Sequence, residues 1–261
     1  DVTVPAVTIH TVAGDDVINA AEHNQAQIVS GSATGAAAGD KVTVTIGGQT
    51  YTTVLDAAGN WSVGVPASVI SGLSDGTVTV TASVTDAAGN TGTGSHNVTV
   101  DTGLPSVAFN AISGDNVLNA VEKGQDLSVS GTSANLAEGT LVTVTLNSKQ
   151  YTATTAADGG WSLTVPAADL AALGEANYTL SATATNTVGN SVSNTANLQV
   201  DTAMPTVIIN TVAGDNVINA AEVAAGQTIG GKVVNAEAGN TVTVSVGGNT
   251  YTTTVQSDLS W

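Results

Sequence analysis

Apolar and polar residues alternate with a period of two in short runs along the whole chain, and turn residues separate the runs. The stretches K-V-T-V-T-I at 41–46, T-V-T-V-T-A at 77–82 and L-V-T-V-T-L at 141–146 each carry one apolar and one Thr-rich face, the signature of half-buried strands. Over the first hundred residues this predicts seven strands, near 6–11, 26–30, 41–46, 50–55, 61–65, 77–85 and 93–100. Val42, Val44 and Ile46 are expected to face a core, with Thr43 and Thr45 outside. Gly47-Gly48 reads as a two-residue hairpin turn. The runs D-A-A-G-N at 56–60 and 86–90 read as longer Gly-containing turns. The only helical-looking stretch is P-A-A-D-L-A-A-L at 166–173, with Pro at a first-turn position; it is expected to be a single turn inside a loop.

The alternation itself repeats, every 100 residues and without slippage. Asp1, Asp101 and Asp201 align, as do Pro5, Pro105 and Pro205; Asp15, Asp115 and Asp215; Asn19, Asn119 and Asn219; Glu22, Glu122 and Glu222; Tyr51, Tyr151 and Tyr251; and Trp61, Trp161 and Trp261. A period this long is a whole domain rather than a solenoid unit. About 100 residues with seven short strands matches a self-contained sandwich with its own core. The expected architecture is therefore all-β: tandem seven-stranded antiparallel β-sandwiches at 1–100 and 101–200, with a truncated copy at 201–261. The third copy stops before the equivalents of 78–84 and 97–100, so it is not expected to close a sandwich alone.

Composition narrows the function classes. Of 261 residues, 42% are apolar but only 3% aromatic, and 4 Lys with no Arg face 21 Asp and Glu, for a formal net charge of -17. Such a charge repels phosphate backbones and anionic membrane surfaces, which argues against nucleic acid as a partner. No run approaches the roughly 18 apolar residues that a bilayer span requires, so no membrane insertion is expected. The opening D-V-T-V-P-A-V-T-I-H lacks the basic and apolar regions of a signal peptide, and the chain reads as a piece of something longer. The absence of Cys excludes a disulfide framework, a thiolate metal site and a cysteine nucleophile.

Nine of the 21 acids fall at three repeated positions, the sets led by Asp1, Asp15 and Glu22. In a seven-stranded antiparallel sandwich, the loop after the first strand lies at the pole where the last strand ends. That places Asp15, Asp16 and Glu22 beside Asp101, the linker into the next copy. The loops of copy two facing back toward this junction are those near Glu138, Asp158 and Asn186. The second junction would use Asp115, Glu122 and Asp201, together with Asp258, while Asp1 would belong to an incomplete site. Carboxylates held this close repel unless protonated or bridged by a cation. A hard divalent cation such as calcium, which takes about six to eight oxygens in flexible geometry, suits Asp, Asn, Glu and loop carbonyls. The alternative reading stands beside it: Asp15 and Asp115 are ordinary Asx-turn formers, and Glu22 a solvated surface residue. No EF-hand loop or Gly-rich calcium nonapeptide occurs.

The recurring strings carry a resemblance. D-T-x-x-P at 101–105, then A/S-G-D-[DN]-V-[IL]-N-A-x-E at 13–22, 113–122 and 213–222, then Y-T and G-x-W, resemble the bacterial Ig-like repeats of giant secreted adhesins. The biofilm-associated proteins and related non-fimbrial adhesins of Gram-negative bacteria are of this type. The resemblance covers the whole chain. It implies an Ig-like sandwich, export by a one-step secretion system to the cell surface or beyond with no cleaved N-terminal signal in this piece, many tandem copies, and interdomain calcium held by repeated aspartates. Carried over by motif, it points to Asp15, Asp101, Asp115 and Asp201 as ligands, with Glu22 and Glu122 next. Copy two departs from the pattern at N-T-V-G-N (186–190), where copy one has D-A-A-G-N.

No enzyme is expected. His10, His23 and His96 have no histidine counterparts 100 residues on, and no serine lies in a G-x-S-x-G elbow. Trp61 and Trp161 raise the possibility of a glycan platform, but a position shared by every copy fits packing better. The reading that emerges is a calcium-stiffened spacer of an adhesin stalk involved in cell adhesion or biofilm formation. Its partners would be the neighbouring repeats, with a host or matrix receptor engaged through regions outside this piece. The alternatives are a module that binds glycan or protein directly and an accessory domain of a secreted polysaccharide enzyme.

Overall fold

The computed structural model describes residues 2–261. In copy one the elements run β1 (Ala6–Ile9), β2 (Val17–Asn19), β3 (Gln27–Thr34), β4 (Lys41–Ile46), β5 (Gln49–Val54), β6 (Asn60–Val65), α1 (Ala67–Ile70), β7 (Gly76–Thr85) and β8 (Thr91–Asp101). They form two sheets, β1-β3-β6 and β2-β8-β7-β4-β5. Between them lies a core of small aliphatic side chains, including Val29, Val42, Val44, Ile46, Val80, Val84, Val98 and Val100. The alternating pattern places these inward and leaves the Thr rows facing water, as the pleat requires. Gly47 and Gly48 both adopt positive φ, 58° and 74°, and close the β4–β5 hairpin with Ile46 opposite Gln49, the geometry of a type I′ turn.

Trp61 anchors the sandwich. It is 3% exposed and lies opposite Gly31 across the β3–β6 ladder. A Cβ at Gly31 would come within 2.4 Å of the Trp61 ring and 2.1 Å of the Thr8 carbonyl, so the indole and the β1 backbone together require glycine there. Trp161 is likewise buried at 4%, over Gly131 and edge-on to Phe109 at 5.4 Å between centroids. The tryptophans are therefore core, and neither offers an exposed face for sugar stacking.

Copy two follows the same order: β9 (Ser106–Phe109), β10 (Val117–Leu118), β11 (Leu127–Ala134), β12 (Leu141–Leu146), β13 (Lys149–Thr154), β14 (Gly160–Val165), α2 (Ala167–Ala171), β15 (Ala176–Thr185) and β16 (Ser191–Val200). Its sheets are β14-β11-β9 and β10-β16-β15-β12-β13. All seven expected strands form in both copies. An eighth, β2 or β10, adds to the edge beside β8 or β16 in parallel pairing. The helical turn expected at 166–173 is α2, and copy one holds its counterpart in α1, which its S-V-I sequence did not advertise.

In the third copy β17 (Thr206–Ile209), α3 (Ala220–Ala225), β18 (Gly231–Val234), β19 (Thr241–Val246) and β20 (Asn249–Thr254) form only two two-stranded ribbons, β17-β18 and β19-β20. Ile9 and Ile18 are 6% and 0% exposed, whereas Ile209 and Ile218 are 58% and 51% exposed. The core positions are present, but no counterparts of β7 and β8 cover them. The chain divides into two compact units. The first runs to Ile112 and includes Ser128–Thr164 and Tyr178–Asn197; the second comprises Ser113–Leu127, Val165–Asn177 and Leu198–Trp261. The first junction thus falls wholly within one unit and the second within the other.

Candidate functional site at the junctions between copies

The acidic loop of copy one is shaped by its own side chains. Ala13, Gly14 and Asp16 take left-handed φ of 55°, 97° and 64°. The loop closes when Asp16 Oδ1 accepts the Val12 N–H at 2.8 Å, and His96 Nε2 lies 2.7 Å from the same oxygen. Asp15 Oδ1 accepts the Val17 N–H at 3.0 Å in an Asx turn. The chain then enters β2, whose parallel register sets Asn19 opposite Asp101. A capping box follows: Asn19 Oδ1 accepts the Ala21 and Glu22 N–H groups, and Glu22 Oε2 accepts the Asn19 N–H at 3.1 Å. Asp15 to Glu22 thereby lie alongside the end of β8 and the start of the linker, as the strand counting anticipated.

These arrangements recur. Asp115 and Asp215 accept from Val117 and Val217, Glu122 and Glu222 close capping boxes on Asn119 and Asn219, and Asn216 takes the loop-closing role of Asp16. The repetition of these positions is therefore explained by local backbone demands, whatever further role the acids have.

The linker is held from both sides. Asp101 Oδ1 accepts the Gly103 N–H at 3.0 Å. From copy one, Asp75 Oδ1 accepts both the N–H and the hydroxyl of Thr102, at 3.0 and 2.8 Å. From copy two, the 186–190 loop reaches the linker. Asn190 Nδ2 donates to the carbonyls of Asp101 and Gly103 at 3.0 and 3.2 Å, and its Oδ1 accepts the Ala20 N–H at 2.8 Å. Asn186 Nδ2 donates to the Gly103 carbonyl at 3.4 Å. A hollow of about 390 Å³ opens here, lined by Asp101, Gly103, Asn135, Ala137, Asn186 and Thr187. In the second unit, β10 pairs with the end of β16. There Asp201 Oδ1 accepts the Ala203 N–H at 3.0 Å, and Glu175 accepts the N–H and hydroxyl of Thr202, repeating the Asp75 clamp.

Several of these carboxyls titrate low. The Thr102 N–H, with the Thr102 hydroxyl, holds Asp75 below the usual carboxylate range. The Thr202 hydroxyl and N–H do the same for Glu175. Burial alone would raise Asp16, but the Val12 N–H and the His96 ring outweigh it and lower its pKa. Hydrogen bonds to the charged form stabilise it in each case.

In the hollow beside Asp101 the ligands on offer are carboxylate, amide, hydroxyl and backbone oxygens, the donor chemistry of a hard ion. The Asp101 carboxylate is shown with one N–H donor and has lone pairs to spare. Among the described residues, however, no group of three or more His, Cys, Asp or Glu draws close enough to hold a metal. Asp158 and Asp258 serve their own turns, accepting from Gly160 and Ser260, and Glu138 is exposed. Asp1, expected at an incomplete site, lies outside the described residues. The sequence reading did not identify Asn190, nor the acid–threonine clamps of Asp75 and Glu175. Their signal was available, since an acid recurs at 75 and 175 with Thr at 102 and 202. No helix among the described residues is long and apolar enough to cross a membrane.

The sequence profile of a bacterial Ig-like domain matches residues 3–102 and 106–202. No curated protein matches the chain. Among solved structures, a Ca2+-stabilized adhesin that helps an Antarctic bacterium reach out and bind ice is 40% identical over 100% of this chain, with a TM-score of 0.54. This chain spans 65% of the length of that one. A 1.5-MDa bacterial ice-binding adhesin, studied for host cell surface retention, is 34% identical over 99% of this chain and 85% of its own, with a TM-score of 0.50. A bacterial immunoglobulin-like domain from the M. primoryensis ice-binding adhesin is 44% identical over 38% of this chain and 99% of its own, with a TM-score of 0.31.

Proposed function

The chain belongs to the bacterial Ig-like domain family, and from that premise we propose that it is a run of spacer repeats from the stalk of a large cell-surface adhesin, stiffened at its junctions by calcium. The copies are taken as 1–100, 101–200 and 201–261. The observation that carries the reading is the first junction, where the β2 loop, the end of β8, the linker and the 186–190 loop meet at Asp101. Kinship with repeat regions of large adhesins supports it, and so does the calcium stabilisation of one of those relatives.

Asp101 would hold the ion, with Asp15, Asp16 and Glu22 on the copy-one side. Asp201 would do so at the second junction, with Asp115, Glu122 and Asp258, while Asp158 would face the first from copy two. Bound calcium would neutralise carboxylates that otherwise repel one another and so narrow the range of interdomain angles. Extracellular modules bind calcium at roughly 10⁻⁴ to 10⁻³ M, which leaves such sites empty in the cytosol and filled outside the cell. Export to the surface, a role in biofilm formation, and a host or matrix receptor engaged by other regions complete the proposal. No enzymatic step is assigned.

The test is small-angle scattering of the chain in millimolar calcium and then in chelator. Calcium is expected to narrow the distribution of dimensions, and Asp101→Ala to abolish that response while circular dichroism shows the sandwiches still folded. Superimposable profiles in calcium and chelator would remove calcium from the mechanism.

A further inference from the structure

We propose that Asn190 is a clasp that holds copy two onto copy one and its linker without any cation. Its side chain is 3% exposed, one of two polar side chains among the described residues buried to this degree, and its hydrogen-bonding capacity points into the junction. The oxygen accepts the Ala20 N–H of copy one at 2.8 Å, and the nitrogen donates to the Asp101 and Gly103 carbonyls at 3.0 and 3.2 Å. With one donor on one side and two acceptors on the other, the amide has a single workable orientation.

The loop that presents it is preorganised. Asn186 Oδ1 accepts the Asn190 and Val188 N–H groups at 2.9 and 3.2 Å. The Asn186 N–H in turn donates to the Asn190 carbonyl at 2.9 Å. Gly189, at φ 85°, brings the loop so near that an added Cβ would lie 3.2 Å from Asn19 Nδ2. Copy one carries Asp86 at the corresponding loop position, where the acid accepts from Asn90 Nδ2 at 2.9 Å. With Asn186 in that place, the loop approaches the linker carbonyls without charge. A carboxylate at 190 could not do the same, because it would set two oxygens against two carbonyl oxygens.

The inference rests on the spacer reading only for its purpose; the clasp itself is independent of calcium. The chain has no cysteine, so Thr52→Cys and Thr152→Cys, both at exposed strand positions, give a clean spin-label pair reporting on the first junction. In chelator the labelled parent is expected to show a single-peaked distance distribution, which calcium narrows further. Asn190→Ala and Asn190→Asp are each expected to lose it. Ala20→Pro gives a second route, because Ala20 follows the capping Asn19, where proline is well tolerated, and the ring sets a carbon where Asn190 now accepts the N–H. Thermal unfolding of each variant checks that the sandwiches persist. A parent that is already broad in chelator overturns the clasp but leaves the calcium mechanism standing. Variants as narrow as the parent in chelator overturn it as well. A parent equally narrow with and without calcium, broadened by the variants, upholds the clasp and removes the calcium mechanism.

Discussion

Gly31 shows how much of this fold turns on an absent methyl group. Any β-carbon there meets the Trp61 ring and the Thr8 carbonyl at distances no packed atom occupies, and the partners are an indole and a backbone, neither of which can swing away. Gly31→Ala is therefore expected to destabilise copy one by about 1–3 kcal/mol, the range for overpacking a core, measurable as a lowered urea midpoint. Gly131→Ala should act alike on copy two, where the Ala108 carbonyl and Trp161 stand in the same relation. An unchanged midpoint would mean the strand shifts freely. At this scale the sequence was legible where residues act alone, since Val42, Val44 and Ile46 are buried as alternation requires. It was least legible where two residues share a task. Glu22 reads as part of an acidic set, yet its partner is Asn19 three residues earlier, a capping box written in the N-x-x-E spacing.

Among the elements, β2 is the one that alternation missed. Three residues, V-I-N, are too few to show a period, and parallel pairing with β8 has no local signature. The third copy shows what that pairing does. The same run V-I-N-A-A-E opens β2 and a 3-10 turn at 17–24 in copy one, but at 217–225 it lies in an exposed stretch followed by the fuller helix α3. No β8 counterpart is there to accept the strand, so the capping box alone decides the conformation. β19 likewise pairs only with β20, whereas β4 pairs with β5 and β7. Amide exchange is expected to be several-fold faster over Thr241–Val246 than over Lys41–Ile46, because local opening sets exchange wherever ladders are incomplete. Equal protection would show that the ribbon finds cover in solution. The hairpin turn at Gly47-Gly48 was the easiest element to read, since both glycines take the left-handed pair of angles that a two-residue turn needs, a geometry the structure repeats at Asn147-Ser148.

At the scale of the whole molecule, charge and linkers meet. The net charge of -17 opposes close approach of the copies, while Asp75 and Glu175 fasten each linker's threonine to the copy before it. Both carboxyls have pKa values lowered by those threonines. A clamped carboxylate resists protonation, so the released state binds the proton more readily. The clamps therefore act fully above the ordinary carboxylate range and are lost as the pH falls through the depressed values. Scattering in chelator between pH 7 and pH 3 is expected to show increasing spread in dimensions at the acid end, even though repulsion weakens there. An unchanged spread would mean the clamps do not restrain the linkers. The repeat period and the fold class were plain in the sequence, and strand counting brought the 14–22 and 186–190 loops to the linker, but it also expected acids to converge there, and among the described residues no group of three does. The means of joining was not legible, because an amide such as Asn190 carries no charge and no motif of its own to draw the eye.

The pairing of β8 has a mechanical meaning. In the proposed stalk the chain would be pulled along its length, and in copy one that pull would leave through Asp101 at the end of β8. β8 is laddered to β7 from Thr91 to Val100 and to β2 from Thr99 to Asp101, with those hydrogen bonds lying across the direction of the strand. Tension must shear the bonds together rather than peel them one at a time, so the strand that carries the load out of the domain is also the one most firmly stitched into it.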